Sequence, residues 1–130
     1  MEADLIARLL ADSGLSALVG NRITPISRPQ DEGLPAITLF RVSPGRSYTF
    51  GGASGSHGTL VQFDIWAPSL MTAKQVMTAL TAVLEQPATF GGTVFEMSFL
   101  QSERDSADDV PGLGTITRKS VDFLIWWQPV

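Results

Sequence analysis

The chain has 130 residues, no cysteine, 44% hydrophobic and 17% charged residues, and a formal net charge of −4. That length suits a single domain, residues 1–130, able to bury a core unaided, and the missing thiols exclude thiolate catalysis, iron–sulfur ligation and disulfide staples. The acidic balance argues against a binder that neutralises nucleic-acid phosphates, and so little charge leaves part of the surface to meet something other than water.

Glu2 to about Asp12 reads as a helix, with Leu5, Ile6, Leu9 and Leu10 on one face and Glu2 and Asp4 at the positive end of its dipole. Acids in this first turn are the reverse of a secretory leader, and no apolar run is long enough for a membrane span. The expectation is a chain made and folded in the cytosol, with no membrane partner. Ser13 and Gly14 break the helix, Leu15 to Val19 form a short second turn, and Gly20-Asn21 end it. Pro25 and Pro29 make Arg22 to Asp31 extended at best, an edge segment.

Ala36 to Val42 and Thr59 to Ala67 read as strands; in the second, Val61, Phe63 and Ile65 share one face. Ser69 caps a helix running to about Gln86, with Leu70, Ala73, Met77, Leu80 and Leu84 at helical spacing. After Pro87 and a Gly91-Gly92 turn, Thr93 to Gln101 is a third strand with Phe95, Met97 and Phe99 inward. Glu103 to Gly114 reads as an acidic loop and Thr115 to Trp127 as the last strand. The order predicts an α+β fold: a mostly antiparallel four- to five-stranded sheet with two helices on one face.

The chemistry-bearing residues fall short of any catalytic pattern. The glycines of Phe50 to Gly58 lack the spacing, the lysine and the following helix of a phosphate loop. Gly52-Ala53-Ser54-Gly55-Ser56 nearly matches a serine nucleophile turn, but the sole histidine, His57, is a chain neighbour of both serines, a poor start for an oriented triad. Glu103, Asp105, Asp108 and Asp109 lack calcium-loop spacing. No catalytic, cofactor or metal residue is expected, and the reading from another class is a small hydrolase or ligand-binding module using the His57 loop.

The sheet points to partners instead. One face is explained by the helices. The other shows Phe40, Leu60, Trp66, Leu100, Leu124 and Trp126 among Thr38, Gln62, Asp64, Glu96, Ser98 and Asp122. Adjacent Trp126 and Trp127 must point to opposite faces. Either the sheet curls on itself or the second face is buried against another subunit, the preferred reading. Arg41 to Gly58 is long for a turn and carries Arg41, Arg46, Tyr48 and Phe50, residue types that anchor interfaces. The predicted interface set is Arg41, Arg46, Tyr48, Phe50, Leu60, Trp66, Arg104, Leu124 and Trp126.

The stretches "LSALVGNRITP", "LPAITLFRVS", "TLVQFDIWAPS", "TAKQVMTALTAVLE" and "RKSVDFLIWW" succeed one another in an order that resembles the small tail completion proteins of long-tailed bacteriophages and phage-derived gene transfer particles. These are similar in fold to tail terminator and head–tail joining proteins. The resemblance implies a ring of identical copies, usually a hexamer, at the head-proximal end of the virion tail, assembled in the host cytoplasm. It implies as partners the major tail tube protein and the head–tail connector, with double-stranded DNA passing through an open channel without specific binding. An interaction domain unconnected with phage is the remaining alternative.

Overall fold

The computed structural model describes residues 1–25, 33–43, 48–49, 52–53, 55–111 and 114–130. Helix α1 (Glu2–Ala11) is followed by α2 (Ser13–Val19), then by strands β1 (Ile23–Pro25) and β2 (Ala36–Arg41). A small ribbon, β3 (Tyr48–Thr49) with β4 (Gly52–Ala53), precedes β5 (His57–Ala67), helix α3 (Leu70–Leu84), β6 (Ala88–Phe90), β7 (Thr93–Val110) and β8 (Gly114–Pro129). The main sheet has six strands in the order β1-β2-β5-β8-β7-β6. Only β1 runs parallel to its neighbour; the other pairings are antiparallel. The α+β class is as expected; among the described residues the main sheet has six strands where four to five were predicted, and there are three helices rather than two.

The extra helix has a local cause. Asp12 leaves α1 in an extended conformation and its carboxylate accepts the Leu15 N–H at 2.8 Å, so Ser13 and Gly14 open a second helix instead of merely ending the first. At its far end Gly20 takes a positive φ of 59°. Ser69 caps α3 as expected, accepting the Thr72 N–H at 3.2 Å. Ala73, Val76, Met77, Leu80 and Leu84 bury the inner stripe of α3, whereas Leu70, at the first turn, stays exposed.

The core lies between the helices and one face of the sheet. Ile37, Leu39, Val61, Phe63, Ile65, Val121, Phe123 and Ile125 meet Leu5, Leu9, Leu15, Val19 and the α3 stripe. Phe63 and Phe123 pack edge to face at 5.9 Å. Helix α1 touches both β1 and β6, which stand at opposite ends of the strand order. A sheet whose two ends reach one helix must curl around it, so the helical side is concave.

Arg8 ties these layers together. It is 6% exposed, its Nη2 donates to the Val83 carbonyl at 2.6 Å and to the Gln86 carbonyl, and its guanidinium lies 5.1 Å over the Phe95 ring. A cation that closes the carbonyl end of α3 is favoured by the helix dipole. Burial holds its pKa below the usual arginine value, with Asp12 opposing. At the other end of α1, Asp4 accepts the Thr93 hydroxyl at 2.6 Å, and the β6–β7 turn needs glycine at position 91. There φ is +59°, and a Cβ would collide with the Asp4 carboxylate.

The largest departure from expectation is the acidic stretch. Residues 103–110 are not a loop but the continuation of β7, paired with β8 from Glu103↔Val121 to Val110↔Gly114. Serine, aspartate and glutamate are poor strand formers, so the pairing is carried by cross-strand partners. Lys119, 2% exposed, donates to Glu103 and, at 2.8 Å, to Asp105. The Thr115 hydroxyl donates to Asp109 at 2.7 Å.

Two irregularities in β7, between Phe95 and Ser98 and between Leu100 and Ser102, also overturn the predicted alternation. Each inserts a residue opposite β8 and flips the facing of the residues beyond it. Phe95 is buried as predicted. Ser98 pairs with Ile125 and is buried, Phe99 pairs with Leu124 on the other face, and Met97 is exposed. Leu100, expected on the non-helical face, pairs with Phe123 on the helical side.

These contacts set expectations for stability. Arg8→Met should cost about 2–4 kcal/mol, because the α3 carbonyls lose buried charged donors; urea unfolding monitored by circular dichroism measures it. Glu103→Gln combined with Asp105→Asn strands a buried ammonium beside half-exposed partners and should cost about 2–3 kcal/mol, more than Lys119→Met, which removes the charge itself. For Lys119, burial pulls the pKa down, but the bonds to Asp105 and Glu103 outweigh it and raise the value above that of an ordinary lysine. A raised folded value means that the contribution is complete below the ordinary lysine range and fades as pH climbs through the raised one. The stability gap between the native chain and Lys119→Met should therefore be flat near neutrality and shrink only in strong alkali.

Candidate functional site

The convex, non-helical face of the sheet presents five rows of side chains set by the register of β2, β5, β8 and β7. From one end they are Ala36–Trp66–Arg118–Ser106, Thr38–Asp64–Ser120–Arg104, Phe40–Gln62–Asp122–Ser102, then Leu60–Leu124–Phe99, and finally Gly58–Trp126. Apolar and aromatic groups thus stand at both ends of a polar band. Of the predicted interface set, Leu60, Trp66, Arg104, Leu124 and Trp126 come together on this face.

Arg41 does not join them. It pairs with Val61 on the concave side, and its Nε lies 3.4 Å from the Glu2 carboxylate at the start of α1. Arg46 and Phe50 lie outside the described residues; Tyr48 begins the β3–β4 ribbon, whose backbone alone is described.

The polar band is internally bonded. Ser120 and Gln62 donate to the same Asp64 oxygen at 2.6 and 3.0 Å. Ser102 donates to Asp122 Oδ2 at 2.6 Å, and Arg104 reaches both Ser102 and Asp122 at 3.0 and 3.3 Å. Trp66 donates its indole N–H to Thr38 at 3.1 Å, under the Arg118 guanidinium 5.4 Å above its ring. At the far end Trp126 lies flat across Gly58, where a Cβ would come within 2.9 Å of the ring. Long side chains lying along the sheet keep Phe40, Leu60, Trp66, Leu124 and Trp126 half-buried. Two buried polar atoms on the face, Asp122 Oδ1 and Arg118 Nε, have no partner among the described residues.

Trp127 takes the opposite face from Trp126, as the alternation requires; its indole donates to Thr59 at 2.9 Å and its ring meets His57 at 4.8 Å. Among the described residues no hydrogen bond joins Ser56 to His57. Ser56 donates to Glu96 at 2.9 Å, while His57 Nδ1 is buried without a partner there. Ser54 lies outside the described residues. Glu103 and Asp105 are engaged by Lys119, and no cluster of three or more potential metal ligands occurs among the described residues. Nor is any described helix long and apolar enough to cross a membrane.

The residues that sequence reasoning passed over are Arg118, Ser120 and Ser102. Their signal was the alternation of β8 and its bulged partner, which places them on the same face as Trp126 and Asp122.

Comparison with known proteins gives a consistent result. The family described as tail completion protein gp17 matches residues 3–127. A chain from the solved structure described as the virion of a native gene transfer agent particle is similar in fold, with a TM-score of 0.64 and 19% identity, over 98% of this chain and 94% of that one. No curated protein matches it in sequence.

Replacing Trp126 or Trp66 by aspartate tests whether this face needs a partner. Self-association should weaken at least tenfold, worth about 1.4 kcal/mol, with the circular dichroism spectrum retained. Light scattering beside circular dichroism reads both, and unfolding at unchanged oligomer size would refute it.

Proposed function

The chain belongs to the tail completion protein gp17 family, and from that premise we propose that it is a single-domain, non-enzymatic structural protein of a virion tail. In this reading identical copies form a ring, with six as the family-like number, at the head-proximal end of the tail. The ring stops growth of the tail tube, offers the head–tail connector a docking surface, and leaves an open channel for double-stranded DNA.

The observation that carries self-association is the convex face. Five large apolar groups there are only half-covered, and Asp122 Oδ1 and Arg118 Nε are buried without partners among the described residues. A neighbouring subunit that brings a donor to Asp122 and an acceptor to Arg118 would satisfy both while covering Leu124 and Trp126. The net charge of −4 fits a channel through which phosphates slide without being held. Likeness in fold to a chain of a gene transfer agent virion supports the same setting.

A hydrolase at His57 gains no support from the geometry, since Ser56 bonds Glu96 and the histidine ring packs on Trp127. Changing His57, Ser54 and Ser56 together to alanine should leave completion of tails intact. Electron microscopy of tails assembled with the variant checks this: tubes of uncontrolled length, with the purified oligomer unchanged, would contradict a purely structural role.

A further inference from the structure

A ring of identical copies brings two different surfaces of each protomer into contact, because a rotation other than a two-fold joins one patch to another. The two lateral margins of the sheet supply such a pair. Strand β6 pairs only with Thr93–Phe95, so β7 beyond that point has β8 on one side and no strand on the other among the described residues. Along this margin Met97, Phe99 and Leu100 are 57%, 44% and 45% exposed, a dense run of large apolar groups left uncovered by the bulges. Beyond them the strand turns acidic: Glu103 and Asp105 are held by the buried Lys119, and Asp108 and Asp109 stand exposed toward its far end.

The opposite margin has the complementary form. Among the described residues β1 pairs with Ile37–Leu39 and no strand flanks β2 beyond them on this margin, where a pocket is lined by Glu2, Pro25, Leu39, Phe40 and Arg41. Val42, beside it, is exposed. Among the described residues from 22 to 43 the charged ones are Arg22 and Arg41, and Arg41 shares a half-exposed 3.4 Å ion pair with Glu2 at the pocket. Proline at position 25 offers no N–H, which discourages a continuous ladder on this margin and favours docking through side chains.

We infer that the free margin of β7 in one copy docks on the β1–β2 margin of a second copy, head to tail. The apolar run around Leu100 sits against the Pro25–Phe40 pocket, and the acidic end of β7 faces Arg41. This rests on the self-association proposed above and names a contact at the lateral margins of the sheet, which meets the convex face at Phe40 and Phe99.

The cysteine-free chain allows a direct test. Copies carrying Leu100→Cys are mixed with copies carrying Val42→Cys under mild oxidation and run on a non-reducing gel. The mixture should yield at least five times more covalent dimer than either variant alone. An equal yield would overturn the contact. If the mixture fails while Trp126→Asp still lowers association at least tenfold by light scattering, the head-to-tail contact falls and association through the convex face survives; if neither effect is seen, both fall. As a second measure, Leu100→Asp, at an exposed position, should lower association at least tenfold with an unchanged circular dichroism spectrum, and an unaltered oligomer would count against the proposal.

Discussion

The structure hangs on the position of α1, and that position is held by a buried guanidinium. Arg8 closes the carbonyl end of α3 and covers Phe95, while Asp4, one turn earlier on the same helix, grips Thr93. A charge removed from water is tolerable only with several partners, and carbonyls at a helix terminus are among the few that also gain from a cation. Because α1 is fastened to α3 and the β6–β7 end while it packs on β1, the sheet has to wrap around it. The curl closes the concave side, so the sheet's remaining broad surface is convex.

That surface is neither a second core nor an ordinary wet face. Its polar band is dry enough for Asp64 and Ser120 to be buried, yet its aromatic groups are covered only by their neighbours' aliphatic and guanidinium atoms. Such a face holds its shape in the isolated chain, because Asp64 and Arg104 are internally bonded, and still gains from further cover at Leu60, Leu124 and Trp126. A component that must remain folded before it joins a larger particle has reason to be built this way.

The bulges in β7 have a reach beyond their size. By flipping the facing twice within seven residues, they bury Ser98 and leave Met97, Phe99 and Leu100 outside. Large apolar groups concentrate on a strand margin that has no neighbouring strand among the described residues, while the same strand runs on into charged residues that resist indiscriminate edge pairing. The buried Lys119 lets those acids stay close together, since Glu103 and Asp105 share its ammonium.

Much of this was legible in the residues themselves. The amphipathic spacing of α1 and α3, the Ser69 cap, the alternation of Val61, Phe63 and Ile65, and the opposed tryptophans 126 and 127 all act over a few residues, where period and local hydrogen bonds govern the outcome. So the amino-acid order alone determined the α+β class, the helix-backed core and the mixed character of the second face, including Leu60, Trp66, Leu124 and Trp126. What it could not determine depended on partners distant in the chain. Residues 103–110 form a strand because β8 supplies Lys119 and Thr115. Register across β7 likewise depends on bulges that no local period encodes. Tertiary structure alone decided these points, because each rests on long-range pairing whose free energy exceeds the weak local preference of the segment involved.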